Sequence, residues 1–254
     1  MNSVVRIDVD HIPTAISAYQ IPNSDDPDVL WQWLSEYLSV HCDVEGMFYL
    51  AYPVGDAGGK PETLILRAIW NTSYPEAYLE AMPGNPLTND YSANHVLETG
   101  EVSRWHDPES PAKMTAGELA RIRLDEEYNM SVGCCFPIFT RNGRICGGFG
   151  LRSKSQNANT FDQILQANKE QIGKLLIAFD ERYRGPYARA AFKLAPQEIR
   201  VLAHLAGGMA VARLAHEMGL STKTIEAYMR TARKKTNSAT SAEMVGKSVF
   251  FNLV

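Results

Sequence analysis

Residues 220–235 read LSTKTIEAYMRTARKK, and the side that this stretch turns to solvent decides what kind of molecule the chain is. Ile225, Met229 and Ala232 recur at helical spacing and are expected to face a core. Glu226, Ala227, Arg230 and Lys234 follow Lys223 at three, four, seven and eleven residues, so the five share the opposite face. A helix braced on one side and presenting cationic and hydrogen-bonding groups on the other suits the major groove of duplex DNA. Arg230 can reach guanine, Glu226 can accept from cytosine N4, and Ala227 permits close approach or contact with a thymine methyl. Thr222, Thr224, Tyr228 and Lys234 suit phosphate oxygens, which position a helix without reading sequence. Taken alone, such a helix reads more readily as a solvated basic face, so its neighbours matter.

Working back from it, Pro196 suits a first helical turn, and Val201, Leu202 and Leu205 form a stripe that stops at Gly207-Gly208. Leu214, Ala215 and Met218 form a second stripe ended by Gly219, after which Ser221 can cap the quoted helix. A short helix, a tight glycine turn and a capped second helix make a helix-turn-helix. Leu194, Pro196, Glu198, Val201, Leu202, Leu205, Gly208, Leu214, Ala215, Gly219-Leu220-Ser221, Thr224 and Ile225 resemble, at matching spacing, the DNA-binding domain of the LuxR/FixJ class of transcription regulators. The resemblance implies four helices, the last from residues 238–251 and commonly used for dimerisation. It also implies a homodimer on double-stranded DNA with an inverted-repeat operator, and RNA polymerase as a further partner. Ala210 to Arg213 departs from the usual Ser-x-x-Glu-Ile pattern.

Charge separates this module from the rest. Residues 186–254 hold 10 Lys/Arg against 4 Asp/Glu, whereas the preceding residues hold 15 against 25. A basic tail on an acidic body suggests a polyanion binder joined to something with another task. The 254-residue chain, 45% hydrophobic and 21% charged, is long enough to bury a sizeable core. No segment reaches the ~18 uninterrupted apolar residues of a membrane span, and residues 1–19 lack a basic start followed by an apolar run. A cytoplasmic protein without membrane contact is expected. Cys42, Cys134, Cys135 and Cys146 match no metal or redox spacing and read as small buried hydrophobes, with no cofactor or metal implied.

In the acidic body, Asp26 to Cys42 reads as a helix with Leu30, Trp33, Leu34, Tyr37 and Leu38 on one face. GMFYLAYP (46–53) and TLILRAIW (63–70) read as strands joined by the turn-rich GDAGGKPE. Helices follow at 75–82, 91–100 and 115–129, the last with a capping-box pair, Thr115 and Glu118. Residues 132–153 form a hairpin whose Asn142-Gly143 suits a tight primed turn, with Gly147, Gly148 and Gly150 leaving room for a bulge or close packing. A long amphipathic helix, 161–183, is expected to stop at Arg184-Gly185-Pro186. The fold class is α+β: an α/β/α sandwich with an antiparallel sheet in residues 1–183, a linker at 184–192, and a small all-α four-helix domain in 193–254.

Tyr74-Pro75-x-x-Tyr78, Asp90, Ser92, Trp105 and the hairpin around Phe136-Pro137 and Gly143 resemble the autoinducer-binding domain of quorum-sensing LuxR-type regulators, over most of residues 15–180. The resemblance implies a sandwich enclosing an acyl-homoserine lactone, with Tyr74, Tyr78, Met82, Asp90, Ser92 and Trp105 at the ligand. Asp90 can accept an amide N–H, Tyr74 can donate to the acyl carbonyl, and Trp105 can wall the ring. Three positions depart from the pattern: Tyr78 replaces a tryptophan that donates to the lactone carbonyl, Met82 replaces a tyrosine, and Tyr91 replaces a proline. Another small amphipathic signal, or a pocket filled by the protein's own side chains, therefore stays open. Asp90 also suits a helix N-cap, and Tyr74 and Trp105 suit a core. A catalytic alternative would pair Cys134 or Cys135 with His95 on an acyl or lactone substrate, but no spacing supports it and no enzyme is expected.

Overall fold

The computed structural model describes residues 21–53 and 61–254. Most of the turn-rich segment expected at 55–62 and the first 20 residues lie outside them; of that segment only Pro61 and Glu62 are described, in a helix. The chain divides into two compact units, one built mainly of residues 28–180 and the other of 24–27 with 181–254.

In the first unit, helix α1 (Pro27–His41) precedes strand β1 (Val44–Ala51). The segment 63–70, expected as a strand, is mostly not one: a short helix α2 (Pro61–Leu64) runs into a 3-10 turn, and strand β2 is only Ile69–Thr72. Its apolar run is too short for period to separate helix from strand, and packing decides, with Leu64 and Ile65 joining the cluster of Phe48, Leu50 and Leu87. Helices α3 (Glu76–Ala81) and α4 (Tyr91–Thr99), strand β3 (Ser103–Arg104) and helix α5 (Ala116–Glu127) follow. The capping box of α5 forms, with Glu118 accepting from the Thr115 N–H at 2.8 Å.

Strands β4 (Gly133–Phe139) and β5 (Ile145–Ser153) make the expected hairpin. Its turn differs from the primed two-residue form. Only Gly143 has positive φ, +77°, while the Gly143 N–H donates to the Thr140 carbonyl and the Thr140 N–H to that of Arg144. That is a three-residue loop with a left-handed glycine closing it. The five strands run antiparallel in the order β2-β1-β5-β4-β3.

Successive strand residues face opposite sides. On one side Tyr49 and Phe149 pack toward Phe179, which stacks with Trp33 of α1, and Tyr49 donates to buried Asp180 at 2.7 Å. On the other side Phe48, Leu50, Cys135, Gly148 and Gly150 meet residues of α3, α4 and α5 around a cavity. Helices on both faces of an antiparallel sheet make the expected sandwich.

Helix α6 (Ala158–Ala191) does not stop at residue 183; it continues through Pro186, and the expected linker is helical as far as Ala191. Proline removes one N–H and ordinarily ends or kinks a helix. Here tertiary contacts hold the last turns: the Arg184 guanidinium lies 4.6 Å from the Phe250 ring centre and donates to the Phe250 carbonyl. Gly185 lies so close to the Asn252 carbonyl that a Cβ would sit 2.7 Å from that oxygen.

Four more helices complete the second unit: α7 (Pro196–Ala206), α8 (Val211–Met218), α9 (Thr222–Lys235) and α10 (Ser241–Phe250). Gly208 and Gly219 adopt the left-handed conformation that ends α7 and α8. The Ser221 hydroxyl accepts from the Thr224 N–H at 3.1 Å, capping α9 as expected. Val201, Leu214, Ala215 and Ile225 form one buried cluster, and Leu202, Ala232 and Met244 a second. Two charged pairs pin the periphery. Glu198, 3% exposed, accepts from the Ala195 N–H and from Lys235. Lys247, 4% exposed, donates to the Thr236 and Asn237 carbonyls and pairs with Glu243.

Candidate signal cavity and DNA-reading face

The cavity on the helical side of the sheet has a volume of about 100 Å³ and opens partly to solvent. Tyr74, Tyr78, Met82, Asp90, Ser92 and Trp105, the six residues expected at a ligand, all line it. Their positions follow from local structure. Tyr78 is carried inward by α3, Asp90 and Ser92 sit at the start of α4, and Trp105 follows β3.

Glycines make room for the aromatics. A Cβ on Gly133 would lie 2.4 Å from the Trp105 ring, and one on Gly150 would lie 2.5 Å from the Tyr74 hydroxyl. Tyr74 and Trp105 meet edge to face at 6.2 Å. Burial first, then Cys135 and Tyr78, push the Tyr74 phenol well above its ordinary value, so it stays protonated and able to donate. Among the described residues no hydrogen bond engages that hydroxyl. The Trp105 indole N–H donates to the Cys135 sulfur at 3.2 Å.

Asp90 is indeed a helix cap: Oδ1 accepts from the Ala93 N–H at 2.9 Å. Its other oxygen has no hydrogen bond among the described residues, so capping and ligand contact are compatible. Ser92 accepts from the Ser103 hydroxyl at 3.2 Å.

The Tyr78 hydroxyl is committed within the protein. It donates to Asp125 Oδ1 at 2.6 Å and accepts from Arg121 at 2.9 and 3.3 Å, which uses its full capacity. Arg121 and Asp125, one turn apart on α5, are the residues that sequence reasoning missed. The i,i+4 spacing of opposite charges was visible, but such pairs ordinarily lie on a solvated face. Here the Arg121 side chain is 9% exposed, and its donors also reach the Pro86 and Thr88 carbonyls. Burial works against its charge, yet Asp90, Tyr78 and Asp125 hold it above the usual guanidinium value. Burial likewise lifts Asp125 above the ordinary carboxylate value, with Arg121 opposing.

The cysteines are poorly suited to nucleophilic work. Burial first, aided by neighbouring groups, pushes the Cys134 and Cys135 thiols up, and a thiol must ionise to attack. No hydrogen bond joins either to His95 among the described residues.

On α9, Ile225 and Ala232 are fully buried and Met229 packs against both clusters of its unit. Thr222, Lys223, Glu226, Ala227, Arg230 and Lys234 are exposed. No ion pair or side-chain hydrogen bond engages Lys223, Glu226, Arg230 or Lys234 among the described residues. Thr224 and Tyr228 are only half-exposed: the Thr224 hydroxyl lies 2.8 Å from that of Ser221, and Tyr228 packs on the core. The helix thus divides into a braced side and an unpaired, mostly cationic side. Among the described residues no helix is long and apolar enough to cross a membrane, and no cluster of His, Cys, Asp and Glu could hold a metal ion.

Residues 29–183 match the model of the autoinducer-binding domain, and residues 193–246 that of the bacterial regulatory proteins of the luxR family. No curated protein matches the chain. Among solved structures it is similar to Escherichia coli SdiA, at 14% identity over 91% of this chain and 93% of that chain, with a TM-score of 0.39. It is also similar to SdiA in complex with octanoyl-rac-glycerol, at 14% identity over 92% and 91%, TM-score 0.34. The phage VqmA–DPO complex matches at 20% identity over 48% of this chain and 50% of that chain, TM-score 0.24. Likeness at that level carries no argument about what this chain binds. The two domain models together cover most of its length: the chain belongs to the luxR family of bacterial regulatory proteins, with an autoinducer-binding domain ahead of its DNA-binding helices.

Proposed function

We propose that the protein is a cytoplasmic, dimeric transcription regulator whose cavity takes an acyl-homoserine lactone or a related small amphipathic signal, and whose α9 reads an inverted-repeat operator. The observation that carries the signal half is the cavity itself, lined by apolar Phe48, Leu50, Leu87 and Val96 and ending in a polar set that includes Tyr74, Asp90 and Arg121. That combination fits a molecule with a greasy tail and a hydrogen-bonding head. The unpaired cationic face of α9 supports the DNA half. Two-fold symmetry would place half-sites about one helical turn apart, with RNA polymerase a further partner at the promoter.

A ligand that binds only the folded state raises its stability by about 2.7 kcal/mol at a hundredfold excess over Kd. Melting the purified protein with acyl amides and lactones of graded chain length should therefore raise the transition temperature with at least one of them. No shift with any, together with unchanged operator binding, would instead make this a regulator that works without a signal.

A further inference from the structure

The hydrogen bonds around Arg121 narrow the chemistry of the signal, an inference that rests on reading the cavity as a signal site. Arg121 has five N–H groups. One of them, Nε–H, is shared between Tyr78 and Asp125, and the four on Nη1 and Nη2 are matched by the Pro86 and Thr88 carbonyls and the Tyr78 hydroxyl. Tyr78 has given its own proton to Asp125. Neither residue has a donor left for a ligand carbonyl. The spare capacity lies elsewhere: the second oxygens of Asp90 and Asp125, which have no hydrogen bond among the described residues, and the Tyr74 hydroxyl, all on residues lining the cavity. The lining also carries Glu118, both of whose oxygens are taken by Thr115 and Asn94, so three carboxylates face one guanidinium.

From this juxtaposition we infer that the signal is a non-anionic acyl amide whose head group carries a second N–H or O–H donor, a hydroxyl or an amine, in place of a lactone carbonyl. The amide N–H goes to Asp90, the amide carbonyl accepts from Tyr74, and the extra donor goes to Asp125. A lactone carbonyl set against Asp125 meets an oxygen that can only accept, and lone pairs facing a carboxylate repel. An anionic head is excluded more strongly, since the uncompensated charge of the lining is already negative.

Titration calorimetry on the full chain tests this with three probes sharing an octanoyl tail: N-(2-hydroxyethyl)octanamide, N-octanoyl-homoserine lactone and N-octanoylglycine. The hydroxyethyl amide should bind about tenfold or more tightly than the lactone, as expected for one added hydrogen bond to a charged acceptor, and the glycine conjugate should not bind at neutral pH. Equal or tighter binding of the lactone would overturn the inference while leaving the signal cavity intact; binding of none of the three would overturn both. Tyr74→Phe should weaken hydroxyethyl amide and lactone alike and keep their ratio. Asp125→Asn, which still accepts from Tyr78 and adds an N–H donor, should bring the ratio toward one or reverse it. An unchanged ratio in that variant would also sink the assignment, and if it does not fold, the ratio in the parent protein still decides.

Discussion

Arg121 and Arg230 are the same side chain in two regions with opposite situations. In the cavity wall every N–H of Arg121 is matched to an acceptor and the side chain is 9% exposed. On the outer side of α9, Arg230 stands exposed with no ion pair among the described residues. The first arginine is spent on architecture: it ties α5 to α3 and to the loop that leads into α4. The second has its full hydrogen-bonding capacity available to a partner. A charged residue therefore signals recognition when its own protein leaves it unsatisfied, and signals construction when it does not.

That contrast can be broken most directly at the buried end. Arg121→Ala strands Asp125, the Pro86 and Thr88 carbonyls and the Tyr78 oxygen, and should cost about 3–5 kcal/mol of stability in urea unfolding. A loss under ~1 kcal/mol would mean that the network is not structural. At the exposed end the pattern inverts. Arg230→Ala should leave stability within about 0.5 kcal/mol but weaken operator binding by about 1–3 kcal/mol and relax preference at one base position. Lys234→Ala should instead weaken all sequences alike and lower the slope of log affinity against log salt by about 1. If either variant bound a cognate operator as the parent does, its assigned contact would be wrong.

The smallest effect separates two glutamates. Thr115 and Asn94 outweigh the opposing influence of burial and hold Glu118 below its unfolded value of 4.5. A carboxylate lowered on folding contributes stability above its unfolded pKa and loses it as pH falls through the folded one. Glu118→Gln should therefore flatten the acid limb of the stability profile below about pH 4.5, read by chemical unfolding at several pH values. Glu226→Gln, on the open face of α9, should instead alter discrimination among operator bases.

The helix-turn-helix was legible because its signals are local: Gly207-Gly208 and Gly219 end helices, Ser221 starts one, and three apolar stripes have a single period. The α5 cap was legible for the same reason. What escaped depends on partners distant in the chain. The run 63–70 is apolar enough for either a strand or a helix, and its contacts with Phe48 and Leu87 decide. Pro186 obeys its local rule only until residues 250–252 pack against that turn. At the cavity, all six expected residues are in the lining, yet Arg121 and Asp125 were hidden because no periodicity reveals that this side of α5 faces a void. Tyr78 stands where the family's pattern has a donating tryptophan; only its neighbours reveal that its proton is already committed.

Lys247 has a practical use that follows from its seclusion. Its ammonium is held by two main-chain carbonyls and Glu243, whereas Lys223 and Lys234 stand in the open. An amine-directed label applied to the intact molecule should reach the outer pair promptly and Lys247 only when α10 lifts away. The lag between those modifications, followed by mass spectrometry, would clock the spontaneous opening of the module without any probe being engineered into it.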